Sequence, residues 1–262
     1  MSDDILLTNL SDGIFTITLN HPKANAFNDD LIDAPKAAFQ QAKRNAKIRC
    51  VVLNANGKLF SAGQDVRNFD EGERLSFRAH LLTTYNPLII QMRSLEKPVI
   101  ASIQGAVAGA ALGIVLACDM RISSENARFV VGFGGIGLAP DSAVSLMLPK
   151  IIGLGRATEA IYFNRPISAE QAFDWGLVNK LVAADELATT TQEWATELAN
   201  GPIQAMGFSK RTLNKAVLPN LESTLDYESH VQEVAGNEPD HKEGLAAFLE
   251  KRPPDYVNKA NK

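Results

Sequence analysis

The order of predicted elements makes this an α/β protein with a helical tail. Short apolar or β-branched runs at 14–19, 51–53, 98–103, 120–123 and 128–131 alternate with longer segments at helical spacing. The repeats fall at unequal intervals, which argues against a regular solenoid. Beyond residue 185 strand signal disappears and helices dominate.

Taken in order, Ile14-Phe15-Thr16-Ile17-Thr18-Leu19 alternates and is rich in β-formers, so it reads as a strand. The stretch Asn20-His21-Pro22-Lys23-Ala24-Asn25-Ala26 reads as a loop. Apolar spacing predicts a helix over 29–46 despite Pro35, then a buried strand at Val51-Val52-Leu53 that ends in the turn Asn54-Ala55-Asn56-Gly57. Residues 60–65 are a loop, and 74–94 a helix with a break expected at Pro87. The strand at 98–103 precedes a small-residue helix over 109–118. Strands at 120–123 and 128–131 follow, then helices over 142–152, 155–163 and 168–175. Later helices are expected over 186–200, 203–215 and 221–234. Asn200-Gly201-Pro202 marks a boundary between a core at 1–200 and a helical region at 201–262. That region is too small to bury a core alone, so it packs on the main domain or on another subunit.

The 262 residues carry a formal net charge of −4, so nothing drives binding to a phosphate backbone and nucleic acid is not an expected partner. The two cysteines, Cys50 and Cys118, sit in apolar surroundings and read as buried, inert thiols rather than a disulfide framework or a zinc cluster. The acidic start Met1-Ser2-Asp3-Asp4 lacks a signal-peptide layout. The longest apolar stretch, 106–118, is shorter than the ~20 residues a membrane span needs. A cytoplasmic, membrane-free protein is the expectation.

Three segments carry chemistry. Phe60-Ser61-Ala62-Gly63-Gln64-Asp65 follows a buried strand, where α/β proteins place ligands, and its small residues admit close backbone approach. It reads either as a plain glycine turn or as a site where Gln64 donates its N–H to a ligand oxygen. Gln104 to Gly113 also follows a strand; Ala110 would lie in the first turn of a helix, where N–H groups are unpaired. Close helix packing through Ala and Gly is the competing reading. The third segment is Pro140-Asp141-Ser142-Ala143, where Asp141 is either a helix N-cap or an acid poised beside the other two segments. Two N–H donors and one carboxylate are a minimal kit for enolate chemistry on a thioester.

Gly132-Phe133-Gly134-Gly135-Ile136-Gly137 matches the dinucleotide fingerprint literally, but Pro140 follows where the helix should already run and no acidic residue closes a second strand. The four histidines show no metal spacing; His80 could sit near the site, but a solvated surface position is the expected one. Ser61 and Ser142 have no partner His in a nucleophile motif. Lys23, Lys210 and Arg211 could meet phosphates, but solvated surface charge is the plainer reading for each.

Several of these segments resemble the crotonase (enoyl-CoA hydratase/isomerase) superfamily. They are 20–28, 60–65, Lys97-Pro98-Val99-Ile100-Ala101, Leu116-Ala117-Cys118-Asp119-Met120-Arg121-Ile122 and 167–178. The resemblance covers nearly the whole chain. It implies a spiral of ββα units, a helical C-terminal trimerisation region, and assembly as a homotrimer or a hexamer (a dimer of trimers). It also implies an acyl-CoA thioester substrate, with coenzyme A part of that substrate and no separate cofactor or metal. Typical hydratases of the superfamily carry two glutamates; here Gly113 and Phe133 hold those positions. Asp141 falls where certain isomerases keep a single catalytic carboxylate. Gly63-Gln64-Asp65, Tyr85-Asn86-Pro87-Leu88, Ala108-Gly109-Ala110, Pro140-Asp141-Ser142 and 243–252 resemble the phenylacetate-pathway 1,2-epoxyphenylacetyl-CoA isomerases and their enoyl-CoA isomerase relatives.

The match implies Gln64 and Ala110 as oxyanion-hole donors and Asp141 as acid/base. Lys23, Ala24, Ala26, Ala62, Asp65, Val66, Asn86, Phe133 and Leu138 would meet the coenzyme or acyl group. The 4-chlorobenzoyl-CoA dehalogenases also keep an Asp, but with a Trp and a His where this chain has Phe133 and Asn86. The expected activity is double-bond isomerisation or rearrangement of a ring epoxide. The alternatives are an enoyl-CoA hydratase or other CoA-ester lyase or hydrolase, or a non-catalytic CoA-ester binder.

Overall fold

The computed structural model describes residues 4–22, 24–68 and 76–258. In chain order its strands are β1 (Leu6–Ser11), β2 (Ile14–Leu19), β3 (Cys50–Ala55), β4 (Val99–Ile103), β5 (Val107–Ala108), β6 (Met120–Ser124), β7 (Arg128–Val130), β8 (Ile167–Ser168) and β9 (Lys180–Val182). The helices are α1 (Asp29–Arg44), α2 (Phe77–Thr83), α3 (Tyr85–Ser94), α4 (Ala110–Ala117), α5 (Val144–Ile152) and α6 (Leu154–Phe163). They continue as α7 (Ala169–Asp174), α8 (Leu187–Asn200), α9 (Ile203–Val217), α10 (Leu221–Asn237) and α11 (Pro239–Leu249).

The larger sheet runs β1-β2-β3-β4-β6-β9 and is parallel except for the β1–β2 hairpin. Asp12 and Gly13, both at positive φ (52° and 80°), close that hairpin as an Asp-Gly turn. Sequence alternation missed β1 because its residues are mostly exposed and show no apolar face. In a smaller sheet, β5-β7-β8, β7 is the strand expected at 128–131, whereas β5 and β8, of two residues each, are too short for periodicity to reveal.

Successive strand residues point to opposite faces. Ile17, Leu19, Val51, Leu53, Val99, Ala101 and Ile103 enter the main core. Ile14, Cys50, Val52, Ile100 and Ile122 face the other way, where α8 covers them with Leu187, Ala195 and Ala199. Burial on both faces explains why the central strands read as unbroken apolar runs. Both cysteines are buried, and desolvation pushes their thiols up to about 12, as inert thiols require.

Three element boundaries differ from expectation. The helix predicted over 74–94 breaks at Thr84 (φ −114°, ψ −84°), not at Pro87; residues 74 and 75 lie outside the described residues. The break places Pro87 in the first turn of α3, where a missing N–H costs nothing. The helix expected from 142 begins at Val144, because Ser142 and Ala143 adopt left-handed φ (54° and 62°). A further helix, α11, follows 221–234 and starts with Pro239 in its first turn. The C-terminal helices return to the core of their own chain: α9 lies on α3, α10 on α2, α3 and α5, and α11 on a 3₁₀ turn, Phe133–Ile136.

Candidate active site

A cavity of about 270 Å³ opens between the loops that follow β3, β5 and β7 and the helices α2, α10 and α11. Its wall is mostly apolar, with Phe77, Leu81, Val130, Ile136 and Phe248 among its residues. The expected residues Ala62, Gln64, Val66, Ala110, Phe133, Leu138 and Asp141 all line it.

The backbone explains how the Gln64 and Ala110 segments come to share this cavity. The Gly63 carbonyl accepts from Phe27 N–H, and Asp65 N–H donates to the Phe27 carbonyl, each at 2.8 Å. The N–H of Gln64, between them, is therefore turned to the opposite side. Ala110 is the first residue of α4, where N–H groups have no intrahelical acceptor. The two segments touch: a Cβ on Gly63 (φ +84°) would lie 2.6 Å from the Ala108 carbonyl oxygen. Only a glycine permits that approach. Tyr85 adds a side-chain hold by donating its hydroxyl to Gln64 Oε1 at 2.6 Å.

Asp141 is not an N-cap. The N-cap position of α5 is Ala143, whose own side chain offers no acceptor. Instead Asp141 Oδ1 accepts from Ser142 Oγ at 2.7 Å and Oδ2 from Gln232 Nε2 at 2.8 Å. Burial raises its proton affinity against the pull of those two hydrogen bonds, leaving the pKa at about 6. A carboxyl group tuned so close to neutrality can both take and return a proton.

The acid is not alone in the low-dielectric region. Glu228 of α10 is buried and does not line the cavity. Burial is again the main cause that lifts its pKa, to about 7, and the charge of Asp141 adds to it. Glu228 is thus a second buried carboxylate behind the cavity wall, one that the sequence reading did not place there. Gln232 and Glu228 were missed because polar residues at helical spacing on a C-terminal helix read as a solvated face.

Gly113 has a definite steric role. A Cβ there would stand 2.3 Å from the Ser142 carbonyl oxygen and 2.5 Å from Ser142 Cβ. The Asp141-Ser142 segment occupies the space into which a side chain at 113 would project.

Several expected site residues lie elsewhere. Asn86 is buried and donates to the Leu225 carbonyl at 3.1 Å, joining α3 to α10 without reaching the cavity. Asp65 turns its carboxylate to Arg67, with two contacts of 2.7 Å. Ala24 borders a separate surface cleft with His21 and Lys58, and Ala26 is buried without lining the cavity described above. Lys23 lies outside the described residues. Lys210 is not a solvated charge: it is buried and pairs with Asp119 at 2.8 Å, beside Arg93 at 2.9 Å on the other oxygen. Arg211, one residue on, is exposed and pairs with Glu96. His80 is likewise not at a solvated surface; it lines the cavity and packs edge-on to Tyr85 with ring centroids 5.9 Å apart.

This architecture is the crotonase fold. The crystal structure of an enoyl-CoA hydratase from Mycobacterium avium subsp. paratuberculosis K-10 matches it with a TM-score of 0.88, 31% identity, and 97% of this chain and 99% of that one covered. An enoyl-CoA hydratase/isomerase from Pseudoalteromonas atlantica T6c matches with the same TM-score at 27% identity, covering 97% of this chain and 100% of that one. The family model described as enoyl-CoA hydratase/isomerase matches residues 9–259, and the chain belongs to that family. It is 36% identical over 260 residues to the 1,2-epoxyphenylacetyl-CoA isomerase of Escherichia coli (strain K12), covering 98% of this chain and 99% of that protein. A probable enoyl-CoA hydratase of Rhodobacter capsulatus is 33% identical, covering 99% of this chain and 100% of that protein. Enoyl-CoA hydratase/isomerase chemistry is thereby supported, and an acyl-CoA thioester fits the family. No helix among the described residues is long and apolar enough to cross a membrane.

Proposed function

We propose that this protein is an acyl-CoA isomerase that moves a double bond through a thioester enolate. One observation carries the reading: among the described residues that line the acyl cavity, Asp141 is the one carboxylate. Hydration of a double bond needs an oriented water and groups to deliver both its parts. A 1,3-proton shift needs one group that removes a proton and returns it two carbons along. Gly113 and Phe133 offer no second acid on the cavity wall, and Ser142 fills the space beside Gly113.

In this mechanism the thioester oxygen lies between the N–H groups of Gln64 and Ala110. Negative charge that develops on that oxygen meets two fixed dipoles in an apolar enclosure. Loss of one such donor typically costs ~10²–10³ in rate. Asp141 takes the proton from the carbon next to the carbonyl, and the electrons pass into the enolate. Its conjugate acid then protonates the far carbon, and the double bond ends in conjugation with the thioester. The same enolate stabilisation suits rearrangement of a ring epoxide. Exposed Phe208, Leu213 and Val217 on α9 support assembly of several copies, in keeping with the trimer that the family resemblance implies.

The test is turnover of a 3-enoyl-CoA by wild type and by Asp141→Asn. Isomerisation that disappears in the variant, with ester binding retained, supports the assignment. Rapid loss of the conjugated absorbance of crotonyl-CoA, at a rate exceeding isomerisation, would instead make the protein a hydratase.

A further inference from the structure

We propose that Glu228 and Gln232, one turn apart on α10, are positioning residues that hold the Asp141 carboxylate toward the acyl cavity by gripping its loop on both sides. The inference rests on Asp141 being the acid/base.

Gln232 bridges the near side of the loop. Its Oε1 accepts from Ala139 N–H at 3.1 Å while its Nε2 donates to Asp141 Oδ2 at 2.8 Å. The first bond fixes which end of the amide faces Asp141, so the carboxylate always meets a donor. Glu228 bridges the far side. Its Oε2 accepts from Ala143 N–H at 2.7 Å, and its Oε1 accepts from Ser145 N–H at 3.1 Å and from the Ser145 hydroxyl.

Between these grips lie Ser142 and Ala143, consecutive non-glycine residues in the left-handed region. Such a conformation persists only where its surroundings hold it. Glu228 supplies that hold by accepting the N–H groups of Ala143 and Ser145 at the start of α5, where the N-cap residue has no side-chain acceptor of its own. The left-handed pair turns the chain so that Asp141 faces the cavity instead of capping α5. α10 is itself anchored by Asn86, whose amide donates to the Leu225 carbonyl on the same buried stripe as Glu228 and Gln232.

The two grips act differently on the acid. Gln232 touches the carboxylate and favours its ionised form. Glu228 acts through backbone geometry. The other groups facing Asp141 are Ser142 on its own loop, Tyr85 on α3 and, across the cavity, His80 on α2.

Steady-state kinetics on a 3-enoyl-CoA with the full chain test this, with Asp141→Asn as reference. Glu228→Ala should lower kcat by about 10²-fold while leaving KM within a few fold, since misplacement of a reacting group by about 1 Å has that consequence. Glu228→Gln, which keeps one acceptor and the shape, should recover much of the loss. Gln232→Met should lower kcat and move the acid limb of its pH profile upward, because the donor that favours the carboxylate is gone. If Glu228→Ala fails to fold, Glu228→Gln and Gln232→Met still decide the matter.

Variants that keep kcat within a few fold of wild type beside an inactive Asp141→Asn would overturn the positioning role and leave the acid/base assignment standing. Losses confined to KM would do the same, marking α10 as a binding element. Full turnover by Asp141→Asn would overturn both.

Discussion

Replacing Asp141 by Asn should stabilise the protein while it abolishes turnover, and the stabilisation should depend on pH. The folded carboxyl titrates at about 6 against an ordinary value of 3.8. Between those values the folded state binds more protons than the unfolded chain, so stability is lost as pH rises. At pH 8 the ionised, buried carboxylate costs about 3 kcal/mol, the interval taken at ~1.4 kcal/mol per pH unit. By pH 5 about half of that penalty remains.

Asn carries no charge to desolvate. Its carbonyl can accept from Gln232, and its amide can donate to the Ser142 hydroxyl, which is free to rotate. The hydrogen bonds that favour the ionised form are already contained in the pKa of about 6. The net expectation is therefore about 3 kcal/mol of stabilisation at pH 8, or roughly 6–12 °C in Tm. At pH 5 the gain falls to about half of that. Removing this charge also relieves its push on Glu228, which adds in the same direction. Thermal unfolding of both proteins at pH 5 and pH 8, at equal concentration, measures the difference of differences. A variant that is less stable than wild type at pH 8, or whose Tm offset is the same at both pH values, would show that Asp141 is not a desolvated acid.

The rate of wild-type isomerisation should fall on acidification with a limb near pH 6, since the cavity acid must be ionised to accept a proton; kcat/KM against pH reads it. Gly113→Ala should cost about 1–3 kcal/mol and at least tenfold in kcat, because its Cβ meets the Ser142 backbone at 2.3 Å and the Asp141 segment must move. Thermal melting and steady-state rates check the two parts separately. Lys210→Met should destabilise by about 3 kcal/mol in denaturant titration, leaving Asp119 with Arg93 alone among its cationic partners, without an equivalent fall in kcat below the transition.

Particular residues show where sequence reading holds and where it stops. The strands of the larger sheet from Ile14 to Ser124 were legible because apolar runs buried on both faces have a composition that helices on a surface lack. The two segments that bring Gln64 and Ala110 to the cavity were legible as small residues after strands, since only such residues admit a ligand to the backbone. Lys210 and Arg211 look alike in sequence, yet a helix turns by about 100° per residue. One therefore falls against Asp119 and the other in water. Asn86 was assigned to the acyl site and instead ties α3 to α10.

The acid was legible as a residue but not as a chemical state. Asp141 before a predicted helix has the signature of an N-cap, and the left-handed φ of Ser142 and Ala143 removes it from that role. Those angles depend on Glu228, 85 residues away from Ala143.

Sequence alone therefore determined the longer strands and helices from Ile14 to α10, the fold family, the two small-residue segments that line the cavity, and the absence of glutamate at 113 and 133. Those are local facts, written in residue type and spacing. The tertiary structure decided how strongly Asp141 holds a proton and which way it faces. Both depend on water being excluded by α10 and on a hydrogen bond from Gln232, 91 residues along the chain. Desolvation belongs to the packed whole, so no stretch of sequence carries it.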